Sequence, residues 1–287
     1  MEMKRTLCFE SPAKVNLRLE IVRKRKDGYH ELRTIFQKIS LHDTLRLSLR
    51  RESGIVISAD HPNLPTGKEN LVYQAAQLLL KRADYKGGIG IKIDKRIPLG
   101  AGLGGGSSNA AATLKAVSQL LEMEISSKEL MKMGLEIGAD VPFFLLEGDA
   151  IGSGIGERLR KIELPPLWYV LIYPNFEVST AWAYQNFVLT KSRIRLKIQK
   201  FLTTPEKISQ ILKNDLEKVV SSKYPHIETM KDILRSSGAL GSLMTGSGPT
   251  VFGLFSEEGG ASEAYKKIKE VVKERGWIVL KAHSILA

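Results

Sequence analysis

The feature that most constrains this chain is a glycine-rich stretch, IPLGAGLGGGSSNAAATLKAV, at residues 97–117. Five of the seven residues from 100 to 106 are glycine. Glycine adopts backbone angles that other residues avoid, at an entropic cost in the folded state. Because an ordinary turn does not need five glycines, the stretch predicts that something approaches the main chain closely. The alanine-rich sequence that follows predicts a helix over 108–123.

This stretch suits an anion-binding loop. Bare backbone exposes N–H donors, and the start of the following helix adds unpaired N–H groups and a positive dipole end. Ser107 and Ser108 can cap that helix or donate hydroxyl groups to a phosphate or its metal. The alternative is a tight turn packed against another element.

Three common phosphate-loop patterns fit poorly. A Walker A loop requires a lysine after the glycines, and none follows here. The letters GAGLGG (100–105) match G-x-G-x-x-G, but a dinucleotide fold runs a strand directly into the first glycine and ends the next strand with an acidic residue. Here DKRIP intervenes, and Glu122 ends a predicted helix. The H-R-D and D-F-G motifs of protein kinases do not occur.

Length and composition bound the class of protein. The 287 residues, 43% of them hydrophobic, are enough for a buried core and suggest about two domains. No spanning segment or secretory signal is evident, and the single Cys8 excludes an internal disulfide and a multi-cysteine zinc site. We therefore expect a cytoplasmic protein.

The net charge of +12 permits nucleic acid, an anionic membrane surface or phosphorylated small molecules as partners. The basic run KSRIRLKIQK (191–200) is typical of a solvated helix face or an exposed loop. An RNA-binding stripe would interleave aromatic residues for stacking, and this run has none.

Hydrophobic periodicity predicts mixed strands and helices, with a domain boundary near 155–165. Ser126 and Glu129 have the spacing of a capping box. Strands are predicted at 6–24, within 26–50, at 55–60, 88–97 and 167–174, in a hairpin at 241–256 and from 277 onward. Helices are predicted at 70–83, 108–123, 126–137, near 179–188 and 205–221, and at 226–239 and 257–276.

Four motifs together resemble the GHMP kinases. PLGAGLGGGSSNAA resembles their ATP loop, and SPAKVNLRLEIVRKRKDGYHEL, IGADVPFFL and LMTGSGPTVFGLF follow in family order over most of the chain. The extra glycines resemble the branch that phosphorylates the 2-hydroxyl of 4-diphosphocytidyl-2-C-methyl-D-erythritol in non-mevalonate isoprenoid biosynthesis. The alternatives are a GHMP kinase of the homoserine or mevalonate type, or a basic RNA-binding module with a ferredoxin-like half.

The resemblance implies an α+β fold with the two domains of a GHMP kinase. The N-terminal domain, 1–160, would carry the glycine loop and a left-handed β-α-β unit, and the C-terminal domain, 161–287, would be ferredoxin-like α/β. The implied cofactors are ATP and Mg²⁺, with no protein ligand assigned to the metal. The implied partner is the small-molecule acceptor, with no nucleic acid and no membrane, and the protein would be a monomer or homodimer.

Lys14 and Asp140 are the catalytic pair that the resemblance implies. An aspartate such as Asp140 can accept the proton of the acceptor hydroxyl. Lys14 can keep Asp140 ionised and stabilise the charge that develops in phosphoryl transfer. The alternatives are that Asp140, before Val-Pro, only caps a helix, and that Lys14 is a surface or edge-strand lysine.

Binding residues are implied for both substrates. The DGYH motif (27–30) offers a flat ring and an imidazole with a donor and an acceptor, which suit a pyrimidine, although ordinary packing is the alternative. In VSTAWAY (178–184), Trp182 as a core residue competes with a binding role. For the acceptor, the implied residues are Asn16, Tyr29, His30, Thr180, Tyr184, Gly246, Ser247 and Gly248. For ATP, they are Asn70, Leu71, Lys95, Pro98, Leu99, Gly100, Ala101, Gly102, Leu103, Gly104, Gly105, Gly106, Ser107, Ser108 and Asn109.

Overall fold

The structure is a computed structural model that describes residues 6–189 and 198–286. Within those ranges the strands are β1 (Thr6–Lys24), β2 (His30–Arg50), β3 (Gly54–Ala59), β4 (Gly88–Asp94), β5 (Asp149–Gly154), β6 (Arg158–Ile162), β7 (Trp168–Tyr173), β8 (Lys213–Asn214), β9 (Gly241–Met244), β10 (Val251–Phe255) and β11 (Ile278–His283). The α-helices are α1 (Leu71–Arg82), α2 (Gly105–Leu120), α3 (Ser127–Ile137), α4 (Val141–Leu145), α5 (Thr180–Gln185), α6 (Pro205–Ser209), α7 (Glu217–Lys223), α8 (His226–Ser236) and α9 (Glu258–Val271). None of the helices in these ranges is both long and apolar enough to cross a membrane.

The chain forms two compact units that interleave along the sequence. Among the described residues, the first unit contains 6–13, 42–99 and 104–147, and the second contains 14–41, 100–103, 148–189 and 198–286. The long strands β1 and β2 therefore each contribute residues to both units. The domain boundary near residue 160 stays a prediction.

The first unit contains a β-α-β crossover. β3 pairs with β4 in parallel, α1 connects them, and β4 pairs antiparallel with the second half of β2. Asn70 caps α1 through its side-chain oxygen, which accepts from the N–H of Val72. The apolar stripe of α1 is buried and includes Ala75 and Leu79, as the helical periodicity predicts. The left-handed sense of the crossover stays a prediction.

The second unit contains the predicted ferredoxin-like sheet, whose strand order is β11-β7-β10-β9. α8 lies between β7 and β9 in the chain, β9 and β10 form a hairpin, and α9 leads from β10 to β11. This is the β-α-β-β-α-β pattern of a ferredoxin-like fold. Its core is apolar and includes Val170, Ile172, Leu234 and Ile268.

Most predicted elements are confirmed, including the cap of α3, where Ser126 Oγ accepts from the N–H of Glu129. Others differ. The helix predicted near 205–221 is broken into α6 and α7 by β8, a two-residue strand that pairs with β1 and is too short to show periodicity. The elements α4, β5 and β6 were not predicted. Of the basic run 191–200, residues 191–197 lie outside the described residues.

Candidate active site

The glycine-rich loop has three left-handed residues in alternation. Gly100, Gly102 and Gly104 have φ angles of 58°, 76° and 73°. Left-handed residues that alternate with others turn successive N–H groups toward one side and form anion-binding concavities. Gly104 directly precedes α2, so the loop leads straight into a helix N-terminus.

The start of α2 differs from the prediction. The helix begins at Gly105 rather than at Ser108, so Ser107 and Ser108 lie in its first turn and do not cap it. Gly104 precedes the helix and has no side chain that could satisfy the first N–H groups, which the helix geometry leaves without intrahelical partners. Within the described residues no side chain caps this helix start, which suits the binding of an anion.

Ser108 and Asn109 are tied to β1 within the first unit. The hydroxyl of Ser11 lies 2.7 Å from Ser108 Oγ and 2.7 Å from Asn109 Oδ1. All three residues are buried. Ser107 is less buried, so its hydroxyl is the better candidate for contact with a phosphate.

Gly102 in the loop and Gly106 in the first turn of α2 have different surroundings. A Cβ on Gly102 would meet the carbonyl oxygen of Thr245, and the left-handed φ of Gly102 already disfavours a side chain. A Cβ on Gly106 would have Leu71 Cδ1, at 3.8 Å, as its one neighbour within contact range among the described residues. Protein packing therefore does not explain Gly106. The open space beside Gly106 would let a group such as a phosphate lie close to the helix backbone, which is compatible with a triphosphate at the loop.

Lys14 is a buried cation in the second unit. It is 3% exposed, and its Nζ donates to Asn16 Oδ1 at 2.5 Å and to the carbonyl oxygen of Gly102 at 2.7 Å. Its backbone N–H donates to the carbonyl oxygen of Leu103. A surface lysine would keep its ammonium in water, so the surface interpretation of Lys14 is wrong. Lys14 instead joins β1 to the glycine loop.

A second glycine turn adjoins Lys14 in the same unit. Gly246 and Gly248 have φ angles of 58° and 84°, and a Cβ on Gly246 would lie 3.0 Å from Lys14 Nζ. The N–H of Asn16 donates to Thr245 Oγ1 at 2.9 Å. The turn joins β9 to β10 in a hairpin, and its Gly246 packs against Lys14.

The residues predicted for pyrimidine recognition are partly assembled. The rings of His30 and Tyr184 stack with centroids 5.5 Å apart and an interplanar angle of 24°. Burial, with a contribution from Lys24, holds the pKa of His30 below its ordinary value. Tyr29 is 59% exposed. Trp182 is partly buried against the core of the second unit, with Lys223 Nζ 4.3 Å from its ring centroid.

Thr180 and Ser247 come together. Their hydroxyl oxygens are 2.8 Å apart, which connects the start of α5 to the second glycine turn. This pair, both of whose members were expected to contact the acceptor, lies within the second unit. The two hydroxyl groups therefore lie side by side at the turn.

Asp140 lies in the first unit, directly before the short helix α4. It is half-buried, and within the described residues its side chain makes no capping hydrogen bond to that helix. The interpretation that Asp140 serves only as a cap is therefore not supported. Gly138, two residues earlier, would bring a Cβ within 3.9 Å of Ser107 Oγ. The turn before Asp140 thus adjoins the start of α2.

Lys95 is fixed beside the loop by a residue that the sequence analysis missed. Lys95 Nζ lies 2.5 Å from Asp43 Oδ2, and Asp43 Oδ1 accepts from the N–H groups of Arg96 and Ile97 at 2.8 Å each. Burial lowers the pKa of Lys95, and Asp43 opposes that effect. Asp43 holds the chain where it enters the loop. An acidic residue inside the alternating apolar pattern of β2 was the feature of the sequence that could have indicated this role of Asp43.

Of the remaining predicted ATP contacts, Ala101 and Leu103 are buried in the second unit, and the others lie in the first unit. Leu71 borders Gly106, and the side chain of Asn70 is used in capping α1 and in donating to the carbonyl oxygen of Pro65 at 2.6 Å. Pro98 and Leu99 are half-buried at the loop entrance. Over the described residues, no three His, Cys, Asp or Glu side chains are grouped as a metal site.

The sequence matches the GHMP kinases N terminal domain over residues 70–148 and the GHMP kinases C terminal domain over residues 198–274. It is 45% identical over 280 residues to the 4-diphosphocytidyl-2-C-methyl-D-erythritol kinase of Geobacter sulfurreducens, covering 97% of this chain and 99% of that protein. The chain belongs to the 4-diphosphocytidyl-2-C-methyl-D-erythritol kinase family.

The fold is also similar to those of solved structures. A crystal structure of 4-(cytidine 5'-diphospho)-2C-methyl-D-erythritol kinase has a TM-score of 0.82 at 36% identity and covers 97% of this chain and 100% of that one. The homoserine kinase of Cytophaga hutchinsonii has a TM-score of 0.74 at 22% identity and covers 100% of this chain and 96% of that one. The second likeness shows a shared fold alone.

Proposed function

We propose that this chain is an ATP-dependent kinase that phosphorylates the 2-hydroxyl of 4-diphosphocytidyl-2-C-methyl-D-erythritol. The nearly full-length similarity to kinases named for this acceptor carries the proposal. The products are ADP and the 2-phosphate of the acceptor. The homoserine and mevalonate alternatives have no comparable support, since the homoserine kinase shares 22% identity.

ATP supplies the phosphoryl group when bound. The N–H groups of the glycine loop and the first turn of α2 hold its phosphates, with the Ser107 hydroxyl as a further donor. Asn70, Leu71, Lys95 and Asn109 are the proposed adenine contacts. Because Ser11 occupies the Asn109 oxygen, the amide N–H₂ is the part of Asn109 left to recognise the base. Mg²⁺ would be held mainly by phosphate and water oxygens.

Asp140 and Lys14 handle the acceptor hydroxyl in this proposal. Asp140 accepts the hydroxyl proton as the oxygen–phosphorus bond forms and the bond to the departing ADP oxygen breaks. Lys14 stabilises the negative charge that develops on the attacking oxygen. Because the Lys14 ammonium is already fixed by Asn16 and Gly102, it needs little reorganisation at the moment of reaction.

Recognition of the cytidyl group falls to the DGYH hairpin and α5. Neutral His30 has one donor and one acceptor nitrogen, which match the edge of cytosine, and its lowered pKa favours this neutral form near pH 7. Tyr29 offers an exposed aromatic face for stacking. The proposed diphosphate contacts are Thr180, Gly246, Ser247 and Gly248.

The decisive test couples ADP release to each of three acceptors: the cytidyl compound, homoserine and mevalonate. We expect ATP-dependent turnover with the cytidyl compound and product phosphorylated at the 2-position, identified by ³¹P NMR and mass spectrometry. Turnover with homoserine or mevalonate but not with the cytidyl compound would overturn the proposal. An Asp140→Ala preparation serves as the control for contaminating kinases.

A further inference from the structure

The segment from Asn214 to Glu217 lies outside the four sequence motifs, and its side chains bind backbone atoms of the second unit. Glu217 Oε2 accepts from the N–H of Met244 at 2.7 Å. Asp215 Oδ2 accepts from the N–H of Ile21 at 2.8 Å. The segment is therefore hydrogen-bonded to the last residue of β9 and to β1.

Asn214 has the most direct hold on the second glycine turn. Its Nδ2 donates to the carbonyl oxygen of Met244 at 2.7 Å and to that of Gly246 at 2.8 Å. These carbonyls flank Thr245, whose hydroxyl accepts from the N–H of Asn16. Both amide hydrogens of Asn214 are thus used at the point where β9 becomes the turn.

Asn214 is itself held in place. It is 7% exposed, its Oδ1 accepts from the N–H of Leu216 at 3.0 Å, and it pairs with Leu19 in the β8–β1 ladder. A turn with two left-handed glycines is intrinsically pliable, since glycine has more accessible backbone states than other residues. A rigid donor beside the turn removes that freedom.

The turn in question borders the Lys14 ammonium. Gly246 is so close to Lys14 Nζ that an added Cβ would lie 3.0 Å from it. The carbonyl oxygen of Gly102, which accepts from Lys14, would lie 2.8 Å from the same Cβ. A shift of the turn would therefore move the groups packed around Lys14.

We propose that Asn214 is a positioning residue for phosphoryl transfer, which fixes the Gly246–Gly248 turn and through it both Lys14 and the contacts to the acceptor diphosphate. This inference rests on the proposed function. Asn214 acts through the turn and does not touch the acceptor. ATP binding depends mainly on residues of the first unit in the proposed function, so the inference assigns the effect of Asn214 to the acceptor side.

The test variant is Asn214→Asp, which keeps the size of the side chain and the oxygen that accepts from Leu216. It replaces two donors by an oxygen that repels the two carbonyls. We expect kcat/KM for the cytidyl acceptor to fall by about 10- to 100-fold, as for other small misplacements of reacting groups. We expect the KM for ATP to change by less than about twofold, because uniform binding of ATP is unaffected.

Two further variants separate positioning from stability. Ile268→Ala removes a core side chain of α9 and lowers the melting temperature, and it should leave KM for the acceptor unchanged. Asn214→Ser retains one hydroxyl donor for two carbonyls, and we expect its kcat/KM to lie between those of the wild type and Asn214→Asp. If Asn214→Asp does not fold, kcat/KM of Asn214→Ser for the acceptor tests the inference instead.

The outcomes are distinguishable. If the wild type turns over the cytidyl acceptor and kcat/KM for that acceptor is unchanged in both Asn214 variants, the inference alone is overturned. An equal rise of both KM values, or loss of activity that only tracks the melting temperature as in Ile268→Ala, would also overturn it. Absence of wild-type turnover with this acceptor would overturn the proposed function and the inference together.

Discussion

At the scale of single residues, the most informative group is the Lys14 ammonium. Burial of a charge is costly unless hydrogen bonds compensate it, and here a side-chain amide and a main-chain carbonyl do so. Both of these acceptors are neutral groups. The sequence around Lys14, an apolar strand, gives no sign of this compensation.

Asp140→Ala is expected to lower kcat by about 10²- to 10⁴-fold, since it removes the proposed base. ATP binding should persist, because the glycine loop and the start of α2 are unchanged. Turnover by stopped assay and ATP affinity by calorimetry measure the two effects. Glu136→Ala, an exposed carboxylate on α3, is the matched control. Near-normal turnover of Asp140→Ala would remove this residue from the mechanism.

Lys14→Ala is also expected to lower kcat by orders of magnitude, about 10²-fold or more, because charge stabilisation in the transition state is lost. Single-turnover kinetics at saturating substrates isolates this step from binding. Lys86→Ala removes an exposed lysine and should leave the rate unchanged. A Lys14→Ala rate within a few-fold of the wild type would contradict the proposed role.

His30→Ala is expected to raise KM for the cytidyl acceptor by about 10- to 100-fold, because a paired hydrogen-bonding edge is worth roughly 1–3 kcal/mol. The effect on KM for ATP should be small. Initial-rate measurements with each substrate varied in turn make the comparison, and His61→Ala is the control histidine. Equal effects on both KM values would show that His30 serves packing against Tyr184 rather than recognition.

At the scale of elements, the glycine loop continues directly into α2. The three left-handed residues set the direction of the loop, and the helix supplies a row of N–H groups immediately after it. The sequence predicts both parts. It does not predict that Gly105 and Gly106 lie inside the helix, because glycine is the weakest helix former apart from proline.

Gly102→Ala and Gly106→Ala are expected to have opposite effects on stability. Gly102→Ala forces a side chain into a left-handed residue that also abuts Thr245, so the free energy of unfolding should fall by about 1 kcal/mol or more. Gly106→Ala replaces glycine in an unobstructed helical position, so the free energy of unfolding should rise by up to about 1 kcal/mol. Urea unfolding measures both.

The same pair also tests the phosphate site. We expect Gly106→Ala to raise KM for ATP despite its greater stability, since the added methyl lies where the phosphate would approach. Unchanged ATP affinity in Gly106→Ala would contradict a phosphate at this point. A loss of stability in Gly106→Ala would instead indicate a packing role that the structure does not contain.

The main elements and the motifs could be predicted from the sequence. Contacts between residues far apart in the chain could not. The continuous apolar run of β7 and the apolar stripes of α1 and α8 are local properties of the sequence. The roles of Asp43 and Asn214 depend on backbone atoms far away in the chain, which no local pattern contains. β8 exists because two residues meet β1, and it was missed for the same reason.

At the scale of the whole molecule, a buried carboxylate makes stability depend on pH. Asp149 accepts from Gln37 Nε2 at 2.9 Å and from the N–H of Lys38 at 3.2 Å, and the Tyr169 hydroxyl donates to the oxygen of Gln37. Burial raises the pKa of Asp149 to about 6, more than these hydrogen bonds lower it. The folded state therefore binds a proton more tightly than the unfolded state does.

The raised pKa of Asp149 determines the direction in which stability changes with pH. Between about pH 4 and pH 6 the folded chain holds the Asp149 proton and the unfolded chain releases it, so stability falls as the pH rises through this window. Asp149→Asn removes this dependence, and its free energy of unfolding relative to the wild type should rise by roughly 2 kcal/mol between pH 4 and pH 7.5. Urea titrations at both values test this. A difference that is the same at both would refute it.

The interleaving of the two units has a consequence for how this protein can be divided. A fragment cut at residue 160 would carry residues 14–41 and 100–103 away from partners such as Asp215, Thr245 and Thr250, to which Ile21, Asn16 and Ala101 are hydrogen-bonded. The half after residue 160 would then lack part of the second unit's core, including Leu19 and Ile21, and the half before it would carry these apolar side chains without their partners. We expect the halves to be insoluble when expressed separately and to regain activity only when refolded together.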